Sequence, residues 1–264
     1  MLFALKKEGS HAIIYHFHFS RACWHRFWAI GSIAGLASLA SYPALLLVGL
    51  PPVLANVTNT IALVFAGIGS TISSLKELHG HWKKVLLFIV LSLLGGIAGS
   101  LFLLLAPAAS FEKSVPFFVL TAGILIIISS FRKIKTNTAK NNNRWISLLS
   151  LVGIFLAGSY DGYFGAGGGI IYLALLSLVV KDRFVTVNAM KNVIASAANL
   201  IATIIFIFKF NIAWLTVIPL GIGLLVGGYL GPIIIRHSNV HFLQILIAFA
   251  SFGLAAYLFI KTYL

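Results

Sequence analysis

Acid is scarce in this chain. Five Asp and Glu stand against 19 Lys and Arg in 264 residues, and charged residues of either sign make up 9%. A soluble domain is typically about 25% charged, so a water-facing fold is excluded. Cysteine is scarcer still. Cys23 stands alone, which rules out a disulfide framework and a cysteine metal cluster. The chain has no HExxH, no nucleotide-binding loop, no nucleophile beside a base and no paired carboxylates, so it offers no enzyme chemistry and calls for no cofactor.

What is present is apolar: 60% of residues are hydrophobic. A membrane helix needs about 20 apolar residues. Eight such segments stand out, at 27–49, 53–74, 85–107, 115–131, 146–164 with an extension to 180, 186–208, 212–235 and 240–261. The expected fold is all-α, a polytopic integral membrane protein of about eight spans. A basic and aromatic lead-in (1–26) precedes a first transmembrane unit (27–131). A basic linker (132–145) joins it to a second (146–264).

The net charge of +14 reads as topology. Lys76, Lys83 and Lys84 follow the second span, and Arg132, Lys133, Lys135, Lys140 and Arg144 fill the linker. Lys6, Lys7, Arg21 and Arg26 precede the first span, Lys209 follows the sixth, and Lys261 ends the eighth. With eight full spans these fall on one side, which the positive-inside rule makes cytoplasmic, together with both termini. Lys181 and Arg183 then fall on the other side. The basic excess implies contact with anionic lipid and no nucleic acid. His16, His18 and His25 in the lead-in suit a headgroup boundary better than a metal.

The two units align. "GLASLASYPALL" (35–46) matches "GAGGGIIYLALL" (165–176) at an offset of 130, and "LLGGIAG" (93–99) matches "LVGGYLG" (225–231) at 132. Asn59 of "NVTNT" meets Asn192 of "NAMKNV" at 133. Near-constant offsets point to duplication of a four-span unit. An even span count gives both copies one orientation, and re-entry of the glycine-rich segments would change that.

Between Arg144 and Lys181 lie 36 residues whose only formal charge is Asp161. As one helix they would run about 54 Å, against a hydrocarbon core of about 30 Å. A break is expected at "GAGGG", since each Gly costs about 1 kcal/mol of helix propensity relative to Ala. The first half is interrupted likewise at "GLASLASYP" and "GLPP". Non-helical backbone at membrane depth must line protein or a wet cavity. The helix after the break then offers free N–H groups to an anion. Such helices are expected to begin near Ile170 and near Ser41. "GGIAG" and "GGYLG" read as helix-packing faces.

Asp161 and Lys191 would each cost about 2.5–3.5 kcal/mol facing lipid, so each should face a cavity, a partner or the interface. Lys191 reads as a cation for a substrate anion, a partner of Asp161, or a snorkelling surface group. Asp161 reads as a carrier of a coupling proton or as a cap on the broken segment. Asn56, Thr58, Asn59 and Thr60 in one copy face Asn188, Lys191, Asn192 and Asn199 in the other. Together they suit an oxyanion cage, and singly each suits an interhelical hydrogen bond.

At these residues the chain resembles the sulfite exporter TauE/SafE family of membrane permeases. The likeness rests on "SYPALLLVGLPPVLANVTNTIAL", "YDGYFGAGGGIIYLAL" and the segment from "NAMKNVIASAANL" to "LLVGGYLG", and it covers about 30–264. The resemblance implies a plasma-membrane carrier for sulfite, a sulfonate or a related anion, coupled to protons. By motif it marks Tyr160, Asp161, Gly165, Gly167, Gly168 and Gly169, with Thr58, Asn59, Lys191 and Asn192, as the site. Many members carry glycines in the first copy where this chain has Ser38 and Ser41, whose hydroxyls join the candidate set with Asn56 and Asn188. The expected partners are a small anion and membrane lipid, and a homo-oligomer is compatible with the sequence. The rival readings are an anion channel and a non-transporting accessory protein.

Overall fold

The computed structural model describes residues 37–131, 144–180, 182–237 and 241–263. The basic lead-in, its histidines and Cys23, and linker residues 132–143 lie outside them. The described residues form helices and no strand. The helices are α1 (Ala37–Leu47), α2 (Pro52–Ser73), α3 (Trp82–Leu105), α4 (Ala108–Phe131), α5 (Arg144–Tyr163), α6 (Gly168–Val179), α7 (Phe184–Ile207), α8 (Trp214–His237) and α9 (His241–Tyr263). Among them α2, α3, α7 and the Trp214–Ile233 stretch of α8 are long and apolar enough to cross a membrane. Their surfaces are those of a protein dissolved in lipid. Leu86, Leu87, Val90, Leu94 and Phe102 of α3 are exposed, while its Ser92, Gly95, Gly96 and Gly99 are buried.

The long segment after the linker does break, at Phe164–Gly167, between α5 and α6. Gly165 and Gly167 take φ of 71° and 85°, which L side chains adopt at a cost of roughly 1–2 kcal/mol. The new helix begins at Gly168, two residues before the expected Ile170. In the first half α1 is already helical at Ala37 and runs through Pro43, so Ser41 lies inside it and does not start it. The interruption among the described residues there falls at 48–51, around "GLPP".

Close contacts give the helix directions. Gly153 of α5 packs on Leu175 of α6, and a Cβ on Gly168 would overlap the Asp161 carboxylate. The two helices therefore form an antiparallel hairpin. Helix α3 runs in the same direction as α5, with Ser92 against Gly158 and Gly99 against Ser159 and Tyr163. Helix α7 joins them, with Gly96 against Ala198 and Ile201. Consequently α6 returns to the end from which α3, α5 and α7 start. At that end His81, before α3, pairs with Asp182, before α7, at 2.9 Å. Leu78 and Val180 share a buried cluster there with Val85 and Val187.

This corrects the expected topology. Eight full spans would put the loop at 74–81 and the loop at 180–183 on opposite sides, and the structure puts them together. The physical reason is the hairpin, which turns back where a single long helix would have crossed. The C-terminus moves as well. Tyr263 donates its hydroxyl to the Lys113 carbonyl (2.9 Å) at the start of α4, opposite the end where α4 hands over to the linker. The end of α9, which carries Lys261, is thus not on the linker's side.

Helix starts recur between the halves: Pro52 and Trp82 against Phe184 and Trp214. Contacts follow the same correspondence. The α2–α8 pairing matches α3–α7, while α2–α7 and α4–α9 map onto themselves. Gly95, Gly96 and Gly99 let α3 touch the backbones of α5 and α7, and Gly228 lets α8 touch Ala66 of α2. The "GGIAG" and "GGYLG" faces are used for packing.

Candidate functional site

The break sits in the interior, enclosed by α1, α2, α5 and α7. Several of its backbone polar groups find partners within the protein, in keeping with the need of non-helical backbone at membrane depth for protein or a wet cavity. The Phe164 and Gly165 N–H groups both donate to the Tyr160 carbonyl (2.8 and 3.2 Å). Asn56 of α2 donates Nδ2–H to the Tyr163 carbonyl (2.8 Å). The Tyr160 hydroxyl donates to the Ala166 carbonyl (2.8 Å). The Gly167 N–H donates to Ser38 Oγ of α1 (3.1 Å). A serine of the first half therefore caps the break of the second. Phe164 turns inward between Tyr42, Phe111 and Phe118 and fixes the loop sterically.

Two ionisable side chains are buried near the break. Asp161 and Lys191 are 2% and 1% exposed. Each feels the other's charge. Yet Lys191 Nζ and Asp161 Oδ1 have no hydrogen-bond partner. The Asp161 carboxylate lies against Gly168, the first residue of α6. It thus sits in the positive field of that helix N-terminus, although no side chain caps the helix through a hydrogen bond. Asp161 is expected either to carry a proton or to cap the broken segment by accepting backbone N–H bonds; it lies beside that segment, and its Oδ1 accepts none. Lys191 lies in the bundle interior, so snorkelling is excluded.

The other candidates divide. Ser41 donates to Asn59 Oδ1, which leaves Asn59 Nδ2 as a buried donor without a partner. Asn188, one turn before Lys191 on α7, is buried with its Oδ1 unpartnered, and so is the Thr58 hydroxyl on α2. Asn192 is only half-buried, and its counterpart Asn59 is wholly buried. Gly169 follows in the first turn of α6, half-buried.

Some groups at the break were not singled out by motif. Thr60 and Asn199 face Gly165 from α2 and α7. Thr203, one turn after Asn199, is buried with an unpartnered hydroxyl, and the spacing of four between them was its only signal. Ser92 of α3 hydrogen-bonds the Tyr172 hydroxyl of α6 and donates to the Ile194 carbonyl of α7 (2.9 Å). No local pattern marks that three-helix junction. Among the described residues no group of three His, Cys, Asp or Glu could hold a metal.

Comparison with known proteins gives the family. The family profile described as "Sulfite exporter TauE/SafE" matches residues 27–258. A probable membrane transporter protein of Haemophilus influenzae is 26% identical over 228 residues, covering 86% of this chain and 88% of the relative. Probable membrane transporter protein ORF9 of a Sinorhizobium species is 25% identical over 231 residues, 86% and 85% of the two chains. Probable membrane transporter protein YfcA of Escherichia coli K12 is 25% identical over 203 residues, 76% and 72% of the two chains. No solved structure matches. With a family match over nearly its whole length and helices that fit a bilayer, this multi-pass membrane protein belongs to the sulfite exporter TauE/SafE family of membrane transporters.

Proposed function

We propose that the chain carries a small anion, with sulfite, a sulfonate or another sulfur oxyanion first among candidates, across the plasma membrane by alternating access coupled to a proton. One observation carries the reading. Lys191 Nζ is a buried amine without a hydrogen-bond partner, within electrostatic reach of the carboxylate that lies against the first residue of a half-helix. Burying a charge costs several kcal/mol unless something compensates it. An anion seated on Lys191, Asn59 Nδ2 and the first N–H groups of α6 would supply the compensation.

Asp161 occupies the place where that anion would approach α6. A proton on Asp161 removes the competing charge from both Lys191 and the helix N-terminus. Anion and proton then enter together, and release of the proton returns Asp161 to Lys191. The two halves act as inverted repeats, and their rocking around the break exposes the site alternately. The end carrying Lys76, Lys83, Lys84, Arg183 and the linker is cytoplasmic on charge.

The test is counterflow in proteoliposomes. Preloading with unlabelled anion should accelerate labelled sulfite or sulfonate uptake through a carrier. A channel would show no such acceleration, and an accessory protein would move nothing. Asp161→Asn should end proton-driven accumulation while leaving exchange. Loss of both, or retention of both, sinks the role given to Asp161.

A further inference from the structure

The unpartnered polar atoms around the break sort by polarity into two groups. Lys191 Nζ and Asn59 Nδ2 are donors and belong to the anion. The second group consists of acceptors. Asn199 commits its Nδ2–H to the Ala195 carbonyl (3.1 Å), which fixes its amide so that Oδ1 is left over. Thr60 commits its hydroxyl proton to the Asn56 carbonyl (2.9 Å) and keeps free lone pairs. Asn56, one turn before Thr60, commits Nδ2–H to Tyr163 and likewise leaves Oδ1 unpartnered.

Two of these oxygens converge with a backbone carbonyl. The position that a Cβ on Gly165 would occupy lies 3.2 Å from the Asp161 carbonyl oxygen, 3.3 Å from Thr60 Oγ1 and 3.8 Å from Asn199 Oδ1. They come from the last turn of α5, from α2 and from α7. The Asp161 carbonyl receives no N–H from the break, because Phe164 and Gly165 both turn to Tyr160. It is therefore one of the orphan carbonyls at the negative end of a helix. Thr60 is wholly buried and Asn199 is 6% exposed, so water does not wash over them.

We propose that this cluster binds a sodium ion, held by the Asp161 carbonyl, Thr60 Oγ1 and Asn199 Oδ1 beside Gly165. An anion has no donor to meet at these atoms, and a hard cation meets only oxygen. A monovalent ion fits the charge. The oxygens are neutral, and divalent ions draw several carboxylates. Broken helices hold cations at such C-terminal carbonyls and anions at the facing N-terminus. Gly165 is required there because its positive φ and missing Cβ let the oxygens approach.

The experiment is equilibrium binding of radioactive sodium to the purified full chain in detergent, with choline replacing sodium at constant ionic strength. Saturable binding, competed by unlabelled sodium and not by choline, is expected. Thr60→Val and Asn199→Ala should each weaken it about tenfold, while Thr60→Ser keeps the hydroxyl and the affinity. Elution volume and melting temperature in choline establish that each variant is folded. Absence of saturable binding overturns the site, and so does binding unchanged in both Thr60→Val and Asn199→Ala. No anion is present in this measurement, so its failure leaves the anion reading standing, and a failed counterflow assay leaves the sodium site standing.

Discussion

Asp161 and Lys191 act on each other through a short stretch of low-dielectric interior, and their energies should not add. In a cycle of Asp161→Asn, Lys191→Met and the double variant, we expect a coupling of about 0.5–3 kcal/mol in melting free energy. Additive losses would separate the two groups. Lys191→Met should also abolish counterflow at any pH, since it removes the cation that receives the anion. Gly168 supplies a second residue-scale check, with Gly49 as control. Gly49→Ala meets only backbone strain, because nothing lies within 4 Å of its Cβ position at φ 92°, and it should cost about 1–2 kcal/mol without touching transport. Gly168→Ala drives a methyl into the Asp161 carboxylate and should change the proton dependence of transport while leaving the protein folded. Equal behaviour of the two variants in transport would contradict the placement of Asp161. Both charged residues were legible in the sequence, because an ionisable group in an apolar run demands a reason. That Asn59 offers a donor and Asn56 an acceptor was not legible, since the hydrogen bond each amide makes elsewhere decides it.

The hairpin of α5 and α6 depends on help from outside itself. Ser38 of α1 takes the Gly167 N–H, and Ser38→Ala leaves that buried donor without its acceptor. The expected loss is about 1–3 kcal/mol, read as a lower melting temperature, and Ser38→Thr should recover most of it. No loss in Ser38→Ala would mean that the break is held by its aromatic packing alone. The break was legible from length and glycine content, and so was its approximate place. Its start at Gly168 was not, nor that Ser41 lies inside α1. Helix ends depend on which carbonyl each N–H reaches, and Tyr160 takes two N–H groups here. The glycines of α3 were legible as a packing face, yet their partners, α5 and α7, were set by the route of the chain.

Over the whole molecule the helix directions put the 74–81 and 180–183 loops at one end and the end of α9 at the other. With Cys23 replaced, single cysteines at the exposed His79 and Tyr263 should react with a membrane-impermeant thiol reagent from opposite sides of sealed vesicles. Labelling of both from one side would restore the eight full spans that the charge count suggested. The count erred at one step. It treated the segment after the linker as a crossing, and every later loop inherited the wrong side.

By itself the sequence determined the solvent, the helical class and the presence of an interrupted helix holding an acid. These follow from composition, hydrophobic length and local propensity, which need no knowledge of distant neighbours. Tertiary structure alone decided that the interrupted helix turns back, that Ser38 closes it, that Asp161 rests on the first residue of α6, and that donors and acceptors around Gly165 part company. Apart from the seat of Asp161 on Gly168, each of these is a contact between segments far apart in the chain. An antiparallel hairpin and a kinked crossing share one hydrophobic pattern, and only the packing against α2, α3 and α7 distinguishes them.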